Sequence, residues 1–344
     1  MQPLSQSPRW RCVRTEGRAL PVYDIAVERS VLEPRGIDVV PVDMDDPGAF
    51  ERLAGEVDAV LHGRGMLDAG RIEMLTRCKI IAHYGTGVDR VDVAAATRRG
   101  IWVTNGPRYA VDEVSSHAIA LLLAVARKIV TADRAVRAGQ WHIPPLRPVH
   151  RIAGRTLGLL GFGNIARATG RKGRALGLQV IAHDPYVGAE VFSAEGVQPV
   201  DLAACLATAD FISVHLPLTA DTKGLLNREA FARIKPGAIL INTSRGPVID
   251  EAALLDALRS GRLAGAGLDV FAQEPLPVDH PVLAMPNVTV SGHVGFYSEE
   301  SIEQMQRDAA EQVLIALQGT PPPFLVNREV LSATRGPARS EAGA

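Results

Sequence analysis

The chain has 344 residues, 47% hydrophobic and 22% charged, enough for a large buried core and long enough that two domains are expected. Thirty-seven basic against 38 acidic side chains leave a net charge of -1, and without a basic run there is no footprint for nucleic acid. Cys12, Cys78 and Cys205 are widely spaced and form no CxxC pair, which argues against a disulfide framework or a zinc site and fits a reducing cytoplasm. The first ten residues lack a signal pattern, and the longest apolar stretch, 118–126, is far short of the roughly 20 residues a membrane span needs. Neither a membrane nor a nucleic-acid partner is expected.

From about Asp38 short β-branched runs alternate with helical segments: IDVVPV, VDAVLH, KIIAHY and IWVTN, with helical stretches at 69–77 and 92–99 between them. This alternation predicts a parallel sheet covered by helices. A long helical segment over 111–130 follows, apolar nearly all round in VSSHAIALLLAVARK, as a helix buried between domains would be. A second series starts near Thr156 with TLGLLG, LQVIAHD, DFISVH, GAILINTS, AGAGLDV and NVTVSG. Six strands in that order predict a complete doubly wound sheet. A last helical pattern covers 298–317, stopped by PPP, and is expected to pack back on the first domain. The α/β reading is therefore two doubly wound parallel-sheet domains. The tail at 332–344, rich in Ala, Gly, Arg and Ser, is expected to be disordered.

Chemistry gathers at the carboxyl ends of the second series. Gly161 and Gly163, with Asn164, Ile165 and Ala166, follow a strand and open a helix. Glycines there permit a tight turn and the approach of backbone amides to a pyrophosphate at a helix N-terminus. Asp184, 21 residues after Gly163, ends the next strand, where a carboxylate can bind ribose hydroxyls and repel a 2'-phosphate; NAD is the expected cofactor. The alternative is a glycine turn and a capping aspartate with no ligand. His215, Thr243, Ser244, Arg245, Asp269 and His293 stand at the remaining strand ends, and such ends share one edge in a doubly wound sheet. Arg245 can hold a carboxylate with its planar guanidinium, or else tie down its own turn through Asp250. His293 can move a proton near neutral pH, and Glu274 can orient it.

These segments closely resemble the D-isomer-specific 2-hydroxyacid dehydrogenases, from about Leu53 to Gln318. GFGNIA with Asp184 resembles the family's nucleotide loop, NTSRGPVIDE its arginine segment, LDVFAQEP its glutamate segment and SGHVGFYSEES its histidine segment. The resemblance implies a Rossmann NAD domain, 109–296, inserted in a flavodoxin-like substrate domain, 1–108 and 297–331. It implies that Arg245 binds and polarises a 2-oxoacid and that His293 is the acid/base tuned by Glu274; no metal is expected, since Arg245 and His293 can stabilise and protonate the developing oxyanion. Thr243, Ser244 and Asp269 would line the nicotinamide side, and HLPLT with His215, Pro217 and Thr222 would pass the adenosine half. HYGTGVDRVD resembles the substrate loop, with Thr86 and Gly87 offering amides to a carboxylate from a turn that is otherwise a plain glycine turn. The two domains would grip one substrate and close around it.

Departures narrow this. Gly292 replaces the usual proline before the histidine, and Thr86 replaces the lysine of phosphite-oxidising relatives. Glu274 replaces the glutamine of formate dehydrogenases, which favours an alcohol/carbonyl couple. HGRGMLD, 62–68, lacks the arginine-serine pattern of phosphoglycerate enzymes, although Arg64 is close by, so phosphoglycerate is disfavoured. Several segments are most similar to the branch that contains the C-terminal-binding-protein corepressors, whose alternative role is NAD(H)-responsive protein binding. A homodimer is expected through the helix 115–126 and the arm 140–151. His117 reads as a satisfied core residue and Trp141-His142 as packing at a loop.

Overall fold

A computed structural model describes residues 10–17, 23–142 and 146–332; of the tail expected to be disordered, all but Ser332 lies outside them. Two compact units make up the chain, Met1–Tyr109 with Glu299–Ala344, and Ala110–Ser298.

In the first unit the strands are β1 (Trp10–Glu16), β2 (Ile37–Asp43), β3 (Ala59–His62), β4 (Ile80–His83) and β5 (Trp102–Thr104). All neighbours are parallel in the order β2-β1-β3-β4-β5, the flavodoxin-like doubly wound order. The interior strand β1, between β2 and β3, is the one the pattern conceals, because Arg11, Arg14 and Glu16 interrupt its apolar residues. Tertiary pairing accommodates them: Arg14 is buried with its Nε 3.5 Å from Oε1 of the equally buried Glu28. Phe50, Ile72 and Leu75 pack on Val13, Val60 and Ile81 on one face of the sheet. The helix Glu299–Leu317 belongs to the same unit and is tied to its first helix by Gln306, whose Nε2 donates to Asp24 O at 2.7 Å and Glu28 Oε2 at 2.8 Å.

In the second unit the strands are β6 (Thr156–Leu160), β7 (Gln179–His183), β8 (Gln198–Pro199), β9 (Phe211–Val214), β10 (Ala238–Asn242), β11 (Leu263–Leu268) and β12 (Val288–Val290). Their order is β8-β7-β6-β9-β10-β11-β12, again all parallel. Six of these match the expected runs, and β8 is too short to leave a pattern. Leu157, Leu159 and Ile241 are fully buried, each such side chain contributing about 1.5–3 kcal/mol.

The segment expected as one helix over 111–130 is two. Val111–Ala126 ends before Lys128, which has a left-handed φ of 53°, and Ile129–Arg137 leaves at 59°. Neither Gly nor Pro marks that break. Ala118, Leu121, Leu122 and Val125 of the first helix pack on Leu157, Leu159, Ile239 and Ile241 of this unit's own sheet. Large exposed hydrophobics stand on the next helix and after it, at Ile129, Val136, Trp141 and Val149. Trp141 does not pack at its loop: it is 86% exposed. No single helix among the described residues is long and apolar enough to cross a membrane.

Candidate active site

Because every strand of the second sheet is parallel, the segments after β6, β7, β9, β10, β11 and β12 emerge on one edge. After β6, Gly161 has a φ of 88°, and a β-carbon there would lie 2.8 Å from His215 O, so only glycine suits the turn. Gly163 precedes the helix Asn164–Ala175 without a side-chain cap, and a β-carbon on it would meet no atom within 4 Å. Asn164 and Ile165 occupy the first turn, whose amides lack intrahelical acceptors. Ala166 is fully buried, as close packing of helix on strand requires. Asp184 faces this loop, Oδ2 accepting from Phe162 N at 2.8 Å and Oδ1 from Tyr186 N at 3.0 Å.

His215 follows β9, its Nε2 2.9 Å from Ser213 Oγ. Loss of solvation pushes its pKa down to about 4, so the ring is neutral at pH 7. Thr222 closes the next turn on Pro217, Oγ1 donating to Pro217 O at 2.6 Å, and that hydroxyl is thereby engaged in the turn itself.

Beyond β10, Asn242 organises the arginine segment: its Oδ1 accepts from Ser244 N at 3.0 Å and Ser244 Oγ at 2.9 Å, and its Nδ2 donates to Arg245 O at 3.1 Å. Thr243 Oγ1 is buried with no hydrogen-bond partner among the described residues. Arg245 Nη1 donates to Ser244 O at 2.8 Å, while Asp250 caps the following helix by accepting from Ala253 N. The next residue, Gly246, presses on the glutamate segment so closely that a β-carbon would sit 1.9 Å from the Phe271 carbonyl carbon. Phe271 N in turn donates to Glu274 Oε1 at 3.1 Å, and Glu274 Oε2 lies 2.8 Å from His293 Nδ1. Arg245, Glu274 and His293, far apart in sequence, thus belong to one connected patch.

Asp269 lies beneath this patch, 2% exposed. Ser291 Oγ, Val294 N and Gly295 N donate to its carboxylate at 2.6, 3.0 and 2.9 Å, and His293 N donates to its carbonyl at 2.7 Å. Burial raises its pKa, but His117, Ser291 and the two amides outweigh this and hold it at about 2. The charge anchors the histidine loop. Ser291 and His117 are the contributors not expected from the sequence: His117 Nε2 is 2.8 Å from Ser291 Oγ and 3.4 Å from Asp269 Oδ1. His117 is therefore a half-buried polar contact rather than a core residue, and a histidine in an otherwise apolar helix was its signal.

In the first unit, the turn with Thr86 and Gly87 follows β4. Thr86 Oγ1 donates to Gly106 O at 2.8 Å and Asn105 Nδ2 donates to Thr86 O at 2.7 Å. With the hydroxyl engaged, the turn is left to offer amides. Beneath it His62 and His83, both buried, face each other Nδ1 to Nδ1 at 2.9 Å.

The profile described as "D-isomer specific 2-hydroxyacid dehydrogenase, NAD binding domain" matches residues 119–295, just over half of the chain. The glyoxylate reductase of Korarchaeum cryptofilum is 42% identical over 269 residues, 77% of this chain and 81% of that enzyme. This chain belongs to the D-isomer-specific 2-hydroxyacid dehydrogenase family. The D-3-phosphoglycerate dehydrogenase of Mycobacterium leprae is 40% identical to this dehydrogenase over 313 residues, 90% of this chain but 59% of that enzyme's length. The crystal structure of a glyoxylate reductase from Paecilomyes thermophila superposes with a TM-score of 0.83 at 28% identity, covering 93% of this chain and 99% of that one. These likenesses do not single out the corepressor branch.

The dehydrogenase's cofactor is NAD(H), and its residues fit that group. The glycine-demanding turn at Gly161, the open space before Gly163, the carboxylate of Asp184 and the orphaned Thr243 hydroxyl lie along the edge a dinucleotide occupies in a doubly wound sheet.

Proposed function

We propose that this NAD-dependent 2-hydroxyacid dehydrogenase interconverts a small 2-oxoacid and the corresponding D-2-hydroxy acid, in either direction. The observation that carries the reading is the 2.8 Å contact of His293 Nδ1 with Glu274, on a patch that includes Arg245. A carboxylate accepts hydrogen bonds, so Nδ1 carries a hydrogen and Nε2 is the atom that exchanges a proton with substrate. In reduction His293 Nε2 protonates the carbonyl oxygen as negative charge develops on it; in oxidation it removes the hydroxyl proton. Arg245 binds the carboxylate and polarises the adjacent carbonyl by directed hydrogen bonds. The turn of Thr86 and Gly87 is the candidate for further carboxylate contacts through its amides. Bound NADH supplies the hydride to carbon 2, and NAD+ accepts it in the reverse direction. Gly161, Gly163, Asn164 and Ile165 would hold its pyrophosphate and Asp184 its ribose, and His215, Pro217 and Thr222 would pass its adenosine half. Thr243 and Ser244 would line the nicotinamide side, with Asp269 behind them holding the histidine loop. The names of the relatives support glyoxylate-like substrates and, with Arg64 near the β3 end, keep phosphoglycerate in the test.

The exposed Ile129, Val136, Trp141 and Val149 support a homodimer through the helix Ile129–Arg137 and the arm that follows it. Three free, buried cysteines support a cytoplasmic setting.

The test is NADH oxidation with glyoxylate, hydroxypyruvate, phosphohydroxypyruvate, pyruvate, phenylpyruvate and 2-oxoisocaproate, repeated with NADPH and with His293→Ala. Saturable turnover that needs His293 and prefers NADH is expected. Tight NADH binding without turnover of any acid would overturn the reading.

A further inference from the structure

We propose that His117 is a positioning residue for His293, acting through Ser291 and Asp269; the inference rests on His293 being the acid/base proposed above. Ser291 has one hydroxyl hydrogen, and the carboxylate of Asp269, 2.6 Å away, takes it. Ser291 Oγ therefore accepts from His117 Nε2 at 2.8 Å, which assigns the hydrogen of His117 to Nε2. The relay runs from helix to loop: His117 Nε2–H to Ser291 Oγ–H to Asp269 Oδ1.

Its far end grips both sides of the catalytic histidine. Asp269 accepts from Ser291 before His293 and from Val294 and Gly295 after it, and its carbonyl accepts from His293 N. Between these anchors His293 holds a left-handed φ of 58°. A side chain with a β-carbon seldom takes that conformation unless its surroundings impose it. The clamp imposes it here, and in this conformation the ring meets Glu274.

The near end is rigid too. Just before His117 on its helix, Asp112 Oδ1, Ser115 Oγ and Ser116 Oγ accept from Lys172 Nζ at 2.7, 2.8 and 2.6 Å, which ties this helix to the one that opens at Gly163. The helix thus sets the height of His117, and His117 sets where the loop carries His293.

The experiment compares wild-type holoenzyme with His117→Leu, His117→Gln and Ser291→Ala. His117→Leu and Ser291→Ala are expected to lower kcat about tenfold with NADH affinity, read by fluorescence, changed less than about twofold. In both, the downfield NMR resonance of the His293 Nδ1 hydrogen, assigned by its loss in His293→Asn, should broaden or vanish. His117→Gln, whose amide can donate from a similar reach, should restore kcat to within about threefold and recover the resonance. Unchanged kcat and resonance in His117→Leu and Ser291→Ala would overturn the proposal. So would equal losses in His117→Leu and His117→Gln with a fall in Tm, which marks mere packing. Failure of the wild type to turn over any acid would instead count against the dehydrogenase substrate reading, and the resonance would still test the relay.

Discussion

His293 and Glu274 meet at 2.8 Å, with the carboxylate's other oxygen accepting from Phe271 N at 3.1 Å. The glutamate is held before it holds the histidine. Replacing it by glutamine keeps size and removes charge, so Glu274→Gln is expected to lower kcat about 10- to 100-fold, and His293→Ala about 100- to 10,000-fold. NADH binding should survive both. Steady-state kinetics with a saturating 2-oxoacid checks this, and wild-type kcat in Glu274→Gln would remove the glutamate from the acid/base pair.

Arg245 leaves β10 on extended backbone, with φ -141° and ψ 136°. A lysine there keeps the charge but not the planar pair of donors that fits a carboxylate. Arg245→Lys should cost about 2–3 kcal/mol in kcat/KM, with a rise in KM as well as a fall in kcat. Retained kcat/KM would rule out bidentate recognition.

Gly246 tests whether the arginine and glutamate segments depend on close backbone contact. A β-carbon 1.9 Å from the Phe271 carbonyl carbon cannot be accommodated without displacing one of the two segments. Gly246→Ala is expected to destabilise the protein by about 1–3 kcal/mol and to lower activity at the same time. Urea unfolding and kinetics on one sample measure both; a fully active, fully stable variant would mean that the contact yields easily.

Two histidines predict an acid-sensitive stability. Burial, with the charge of neighbouring His83, pushes His62 down to about 3, and burial pushes His215 down to about 4, both from an ordinary 6.5. Unfolding restores the ordinary value, so below pH 6.5 the unfolded chain binds protons that the folded chain refuses. Stability should therefore fall with decreasing pH from about 6.5 toward 4, by at most about 1.4 kcal/mol per pH unit for each histidine in its own unit. Denaturant unfolding at intervals across that window gives the slope. His215→Gln should flatten it for the second unit, and an unchanged slope would show that another group dominates.

The residue pattern alone determined the alternation of strands and helices and the family, and it marked the candidate site segments. Parallel strands buried on both faces are continuous apolar runs, and turns that approach a phosphate need glycine at set spacing. Strand β1 was hidden because Arg11, Arg14 and Glu16 read as polar; only its pairing between β2 and β3, and the burial of Arg14 beside Glu28, make it an interior strand of the sheet. The end of the helix at Ala126 was hidden because Lys128 enters left-handed backbone without a glycine. Arg245, Glu274 and His293 were legible as residue types in motifs, but their mutual geometry was not. Tertiary structure alone decided that Gly246 abuts Phe271, that Asp269 grips the loop on both sides of His293, and that His117 reaches Ser291, 174 residues along the chain. Local pattern records which face of an element is apolar; hydrogen bonds between distant segments depend on where folding delivers each donor and acceptor, and a one-dimensional pattern carries no such distance.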